Sequence, residues 1–220
     1  MSETATADDE ILDGVYRALC NHGYADMTMQ DIADECEKST SLLHYHYDTK
    51  DDLLVAFLDG IITDYEQRLA GEAERPPEQR LVTFLARFVF EPSEGQRKSF
   101  HLALLEMRSQ GPFDERIRDR LERSDTVLRE TAAEILRAGV EMGVFDPVDP
   151  DRTAALLVAA LDGARTRQIT LGDGQPEGTY TRVVVEELLA QVVDPLLAPG
   201  VDRPTLDTVL GDLERDEERS

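Results

Sequence analysis

The stretch STSLLHYHYDTK, residues 39–50, concentrates two histidines, two tyrosines, several hydroxyls and a lysine in an otherwise acidic chain. Three chemistries suit such side chains: metal ligation, catalysis, and hydrogen bonding to a polar or anionic partner. Metal ligation fails on geometry. His44 and His46 are two residues apart, so on a helix they point about 200° from each other and cannot close on one ion. Cys20 and Cys36 are the only cysteines, and no CxxC spacing accompanies them. Catalysis lacks its usual parts, since the chain holds no Gly-rich phosphate loop, nucleophile elbow or metal-ligand cluster. No catalytic residue, metal or cofactor is therefore assigned. Hydrogen bonding to a partner remains.

Charge narrows that partner. The chain of 220 residues carries 46 acids against 23 bases, a formal charge of −23, and its pI is near 4.4. A sequence-blind polyanion binder is excluded, because phosphate affinity comes mostly from Lys and Arg. The bland reading of the charge is a solvated surface that keeps the protein soluble. Arg outnumbers Lys by 20 to 3, and with the acidity this resembles the composition of salt-accumulating halophiles. In molar salt the Debye length falls to about 3 Å. Recognition in that setting works at contact, not at a distance. The N-terminal MSETATADDE is too polar for a signal peptide, and no apolar run approaches the roughly 20 residues that span a bilayer. A cytoplasmic protein without membrane contact is expected.

The elements that must position residues 39–50 read as helices. Ile11, Leu12, Val15, Tyr16, Leu19 and Cys20 recur at helical spacing before the stop at Gly23. Thr28 and Asp31 form a capping-box pair that opens a second helix, with Ile32 and Ala33 inward. Ser39 caps a third, anchored by Leu42 and Leu43. Thr49 and Asp52 cap a longer fourth. Three short helices, the second and third joined by a tight turn, form a helix-turn-helix layout. Beyond the proline-containing break GEAERPPEQ, longer helices are expected over 77–92, 96–110, 113–142, 150–171 and 179–197, with Gly172 to Gly178 as punctuation. The fold class is all-α. Residues 1–54 are expected as the helix-turn-helix domain, 55–198 as a second helical domain, and 199–220 as an acidic, weakly ordered tail.

The string Ile11, Gly23-Tyr24, Thr28, Asp31-Ile32-Ala33, Ser39, Leu43, Tyr45-His46-Tyr47, Lys50 and Leu53-Leu54 resembles the N-terminal domain of TetR/AcrR-type transcriptional regulators. The segment from Gly143 through Asp173 resembles, more weakly, the helix such regulators use to dimerise. The resemblance implies a DNA-reading helix over Ser39–Tyr47. Thr40, Ser41, Leu42 and Tyr45 fall where the family reaches bases. Thr28, Ser39, His44, His46 and Lys50 fall where it holds phosphates or flanks the site. Hydroxyls and Leu methyls suit base edges and thymine methyls, and Tyr, His and Lys tips suit phosphate oxygens. Tyr47 takes the family's buried aromatic position. Lys38 and Lys50 are two of only three lysines and lie close together, a placement that favours phosphate. Two features depart from the pattern. Glu37-Lys38 replaces the usual glycine and apolar residue of the inter-helix turn, and His44 replaces a tyrosine.

The resemblance further implies a small-molecule effector and a homodimer on double-stranded DNA. Phe84, Phe88, Phe100, His101, Leu104, Met107 and Phe113 are the candidate effector-pocket residues, against simple core packing for any one of them. Ala155, Ala159 and Gly163, with Val184, Leu188 and Val192, are the candidate dimer interface. A ligand-responsive repressor on a palindromic operator is the leading reading. The alternative is a helical ligand-binding or protein-interaction module with a decayed reading head, which the 13 acids and 3 bases of residues 1–54 favour. Against it, residues 39–50 hold a single acid, Asp48. The composition makes folding depend on salt: the melting temperature should rise as KCl goes from dilute to molar, and an unchanged melt would exclude the halophilic reading.

Overall fold

A computed structural model describes residues 7–70, 74–90, 95–171 and 179–217. The expected break over Gly172–Gly178 lies outside the described residues. The first unit takes the described residues up to Glu66 together with those from Gly95 to Ser124. It holds α1 (Ala7–Asp26), α2 (Met29–Glu35), α3 (Thr40–His46), α4 (Lys50–Ala70) up to Glu66, α6 (Gly95–Gln110) and the start of α7 (Glu115–Glu141). Its core is built from Ile11, Val15 and Leu19 of α1, Ile32 and Ala33 of α2, Leu43 of α3, Leu53, Leu54 and Phe57 of α4, and Ala103 and Met107 of α6. α6 packs along α1, so the reading head shares its core with a helix some ninety residues downstream. The contacts thus group the chain differently from a division after residue 54.

Local chemistry sets the short helices. Thr28 caps α2, and the reciprocal bond to Asp31 completes the capping box. Ser39 caps α3 by accepting from the Leu42 N–H at 3.2 Å. Between them the chain turns through Glu37, whose φ of 53° lies in the left-handed region. The Glu37 N–H donates to the Asp34 carbonyl at 3.3 Å and the Lys38 N–H to that of Ala33 at 2.9 Å. This is the Schellman closure that usually carries glycine. α1 also breaks, at Gly23 with φ 72°, where the Tyr24 N–H donates to Glu106 of α6 at 2.8 Å.

One lysine ties these ends together. Lys50, the first residue of α4, donates from Nζ to the carbonyls of Tyr24 at 3.1 Å and Met27 at 3.0 Å. Its ammonium also lies 5.1 Å from the centroid of the Tyr24 ring. The start of α4 is thereby fixed to the chain between α1 and α2. Three arginines of α7 hold α4 further along. Arg116 pairs with Asp52, Arg120 with Asp59 at 3.2 Å, and Arg123 with Asp59 at 3.3 Å and Glu66 at 3.2 Å.

The second unit takes the described residues from Gln67 to Phe90 and from Asp125 to Glu217. It holds α5 (Pro77–Ala86), the rest of α7, α8 (Pro150–Leu171), α9 (Tyr180–Leu188) and α10 (Leu206–Glu217). Gln168 of α8 is buried and keys three segments: its Nε2 donates to the Phe90 carbonyl at 2.9 Å, and its Oε1 accepts from the Thr181 N–H at 2.7 Å.

Three expectations change. α5 ends at Ala86, not near 92, with Phe88, Val89 and Phe90 buried in the irregular segment that follows. The helix expected over 179–197 is regular only to Leu188, then widens into a π turn over Leu189–Val193 and a 3₁₀ turn over Asp194–Leu196. Pro195 is the physical reason, since it lacks an N–H and its ring clashes with the carbonyl four residues back. The tail expected to be weakly ordered forms α10 instead. Leu206 and Val209 are buried in the core of the second unit, α10 packs on α5, and Arg182 pairs with Asp207. An apolar stripe at helical spacing within the acidic sequence explains the docking.

Glu37→Gly should stabilise the protein by up to about 1 kcal/mol, because a left-handed residue with a Cβ is strained and glycine is not. A thermal melt at fixed KCl checks it. Lys50→Met keeps the aliphatic stem but loses both carbonyl bonds. It should cost about 1–3 kcal/mol, read by the same melt.

Candidate nucleic-acid interface

α3 has seven residues, too few to be stable alone. Leu43, fully buried, pins it to the core, and Tyr47 at its C-cap packs partly against the same cluster. Thr40 and Leu42 are half-buried, whereas Ser41, His44, Tyr45 and His46 are exposed. Tyr45 is 84% exposed, and its ring meets that of His46 edge-on at 5.3 Å. A phenol so exposed adds nothing to the core. The face carries hydroxyl, imidazole and methyl groups and no carboxylate of α3 itself. Asp48 and Glu37, both exposed, flank it.

The expected phosphate contacts divide by what each group already does. Thr28 donates its O–H to Asp31 at 2.6 Å, and Thr49 donates to Asp52 at 2.6 Å. These hydroxyl bonds hold both carboxyls below the usual range, Arg116 helping at Asp52. The two caps therefore stabilise the fold above the unfolded carboxylate pKa of about 4, and lose that contribution as pH falls through the lowered folded values. Ser39 accepts at its oxygen, which leaves its O–H available. Lys50 uses its ammonium on two carbonyls. Lys38 pairs with Glu10 at 2.6 Å, and that bond raises its pKa above the usual lysine range. Arg17 donates to the Glu35 carbonyl at 2.7 Å and pairs with its carboxylate at 3.5 Å.

The candidate pocket residues do not form one set within either unit. Phe84 and Phe88 are buried in the second unit, with ring centroids 5.6 Å apart and Arg165 over Phe88 at 4.6 Å. Phe100, Leu104 and Met107 pack in the core of the first, where Phe100 meets Tyr16 at 4.9 Å and His101 at 5.7 Å. Phe113, in the turn after Gly111-Pro112, is 86% exposed. Of the candidate interface residues, Ala155, Ala159 and Gly163 are exposed along α8. Val184 and Val192 are half-buried against the core, and Leu188 is buried in it. Sequence reasoning missed the arginine ladder between α4 and α7. Its signal was present: Asp52, Asp59 and Glu66 recur every seven residues opposite Arg116, Arg120 and Arg123. No group of three or more potential metal ligands occurs among the described residues.

Comparisons with known proteins agree with this geometry. The family described as bacterial regulatory proteins, tetR family, matches residues 11–57, and the C-terminal part of BetI-type transcriptional repressors matches residues 77–198. The chain is similar to a TetR transcription regulator from Haloarcula marismortui ATCC 43049, with a TM-score of 0.76 and 38% identity over 86% of this chain and 97% of that one. It is 25% identical over 173 residues to the HTH-type transcriptional repressor AcnR of Corynebacterium diphtheriae, which is 78% of this chain and 86% of that protein. A putative transcriptional regulator from Saccharomonospora viridis, solved in complex with choline, shares the fold, with a TM-score of 0.71 and 24% identity over 84% of this chain and 96% of that one. DNA-binding regulation, not enzymatic catalysis, is the business of these relatives. With both halves matched and a helix-turn-helix head in place, the chain belongs to the TetR family of transcriptional repressors.

Proposed function

We propose that this repressor works as a homodimer that reads a palindromic operator through α3 and is released by a small-molecule effector. The observation that carries the DNA assignment is Tyr45, 84% exposed on a helix whose only buried residue is Leu43. Thr40, Ser41, Leu42 and Tyr45 read bases, and Ser39, His44 and His46 lie where phosphate oxygens pass.

The dimer reading rests on α8. Ala155, Ala159 and Gly163 form an exposed row of small residues, and Leu156 and Leu171 on the same helix are 55% and 68% exposed. Small residues let two helices approach closely, and a two-fold axis presents two reading heads to two half-sites. Val184 of α9 and Val192 of the π turn after it are half-buried against the core, and Leu188 is buried in it. Effector response is the reading that membership of this family supports. An effector must prefer one spacing of the heads over the other to change operator affinity. The halophilic reading is supported by composition and by the similarity to the Haloarcula protein. No described helix is long and apolar enough to cross a membrane, which accords with a cytoplasmic regulator.

Selection from a random DNA pool at moderate and high KCl should enrich a palindromic site. Tyr45→Ala should melt like the wild type yet lose about 1–3 kcal/mol on that site and change which bases matter. A pool with no enriched sequence at any salt would favour the interaction-module reading instead. Light scattering at micromolar concentration should return a dimer, and Ala159→Glu should return a monomer with an unchanged helical signal.

A further inference from the structure

Residues 1–54 contain three basic side chains, Arg17, Lys38 and Lys50, against 13 carboxylates. All three bases are engaged within the chain. Arg17 holds the end of α2 through Glu35, at 2.7 Å to its carbonyl and 3.5 Å to its carboxylate. Lys38, next to the inter-helix turn, holds Glu10 of α1 at 2.6 Å. Lys50 donates to the carbonyls of Tyr24 and Met27 at 3.1 and 3.0 Å. The exposed groups of α3 are Ser41, His44, Tyr45 and His46, and the exposed charged residues flanking it, Glu37 and Asp48, are acids.

DNA binders ordinarily gain affinity by placing Lys and Arg on phosphates, which releases the cations condensed on the duplex. The observed constant then falls with salt at a slope of about −0.9 per neutralised phosphate. This head has no lysine or arginine that is not already holding another part of it. At a pH where its imidazoles are uncharged, an operator contact through α3 is made by hydroxyl, phenol, imidazole and backbone donors, none of which then replaces a condensed cation. Electroneutrality then works in the opposite direction. Bringing Glu37 and Asp48 toward phosphates joins two anionic surfaces, so the cations around both are retained, and more are drawn in.

Resting on the operator-reading assignment above, we infer that this head recognises DNA without ionic phosphate contacts, so that operator affinity is independent of salt or rises with it. Solvent monovalent cations are in effect a co-ligand of the complex. They occupy no fixed site; their number in the complex is set by charge. Lys38 and Lys50 hold the head's shape and do not grip the phosphate backbone.

The test is the affinity of the full-length protein for its selected operator, measured by fluorescence anisotropy at several KCl concentrations at which circular dichroism shows it folded. The expected slope of log K against log [KCl] is zero or positive. Lys38→Gln and Lys50→Met, compared under conditions where each remains folded, should leave that slope unchanged. Asp48→Lys adds a cation beside the reading helix and should make the slope more negative by about one. A wild-type slope of about −3 or steeper, made shallower by about one by either lysine substitution, would overturn the inference. That result leaves operator reading intact. Failure to enrich any sequence at any salt overturns operator reading, and the inference with it.

Discussion

An excess of 23 negative charges governs how this protein uses its positive ones. In the first unit each head base joins segments distant in sequence: Arg17 to α2, Lys38 to α1, Lys50 to the chain between α1 and α2. Arg116, Arg120 and Arg123 bind α7 to α4. In the second, Arg182 reaches Asp207 of α10 and Arg203 reaches Asp194. Exposed pairs of this kind contribute only about 0–1 kcal/mol each. Their larger effect is on what remains unpaired, which is overwhelmingly carboxylate. Stability comes from two apolar cores, and the surface is left to repel itself unless salt screens it.

The reading helix is built so that its chemistry and its folding are separate. Leu43 and Tyr47 tie it to the core, Ser39 caps it, and the left-handed turn at Glu37 sets its entry. Ser41, His44 and Tyr45 take no part in that support. Substitutions on the exposed face leave the packed side of the helix untouched. The acidic head also favours contact chemistry over long-range attraction.

In the second unit one buried amide does for the backbone what the arginines do at the surface. Gln168 satisfies the Phe90 carbonyl and the Thr181 N–H, so the irregular segment after α5, the body of α8 and the start of α9 are held in one arrangement. Buried polar groups whose hydrogen bonds are made fix one packing among several. Nearby, Gly139 of α7 lies directly against the ring of Phe145, and a Cβ there would collide with it. The chain after α7 can fold back tightly only through that glycine. α10 then covers α5, with Leu206 and Val209 completing the core.

Much of the head was legible because its signals are local. Thr28 with Asp31, Ser39 before Leu42, and Thr49 with Asp52 are contacts three residues apart, and helical spacing alone predicts them. Leu43 as buried anchor and Tyr45 as an exposed side chain follow from the family string and the period of a helix. The turn at Glu37 was not legible, since a glutamate where glycine is usual left its path open, and only the backbone shows that it keeps the left-handed conformation. What Lys38 and Lys50 do was not legible either, because their partners lie 28, 26 and 23 residues away. A lysine beside a reading helix looks the same in sequence whether it faces phosphate or a carbonyl. The docking of α10, the widened turn at the end of α9 and the division of the candidate pocket residues between two units were equally out of reach. Sequence by itself determined the short helices of the head, where they begin and which of their residues face inward. Tertiary structure decided which charges are already satisfied, because pairing depends on distances that only the packed helices create.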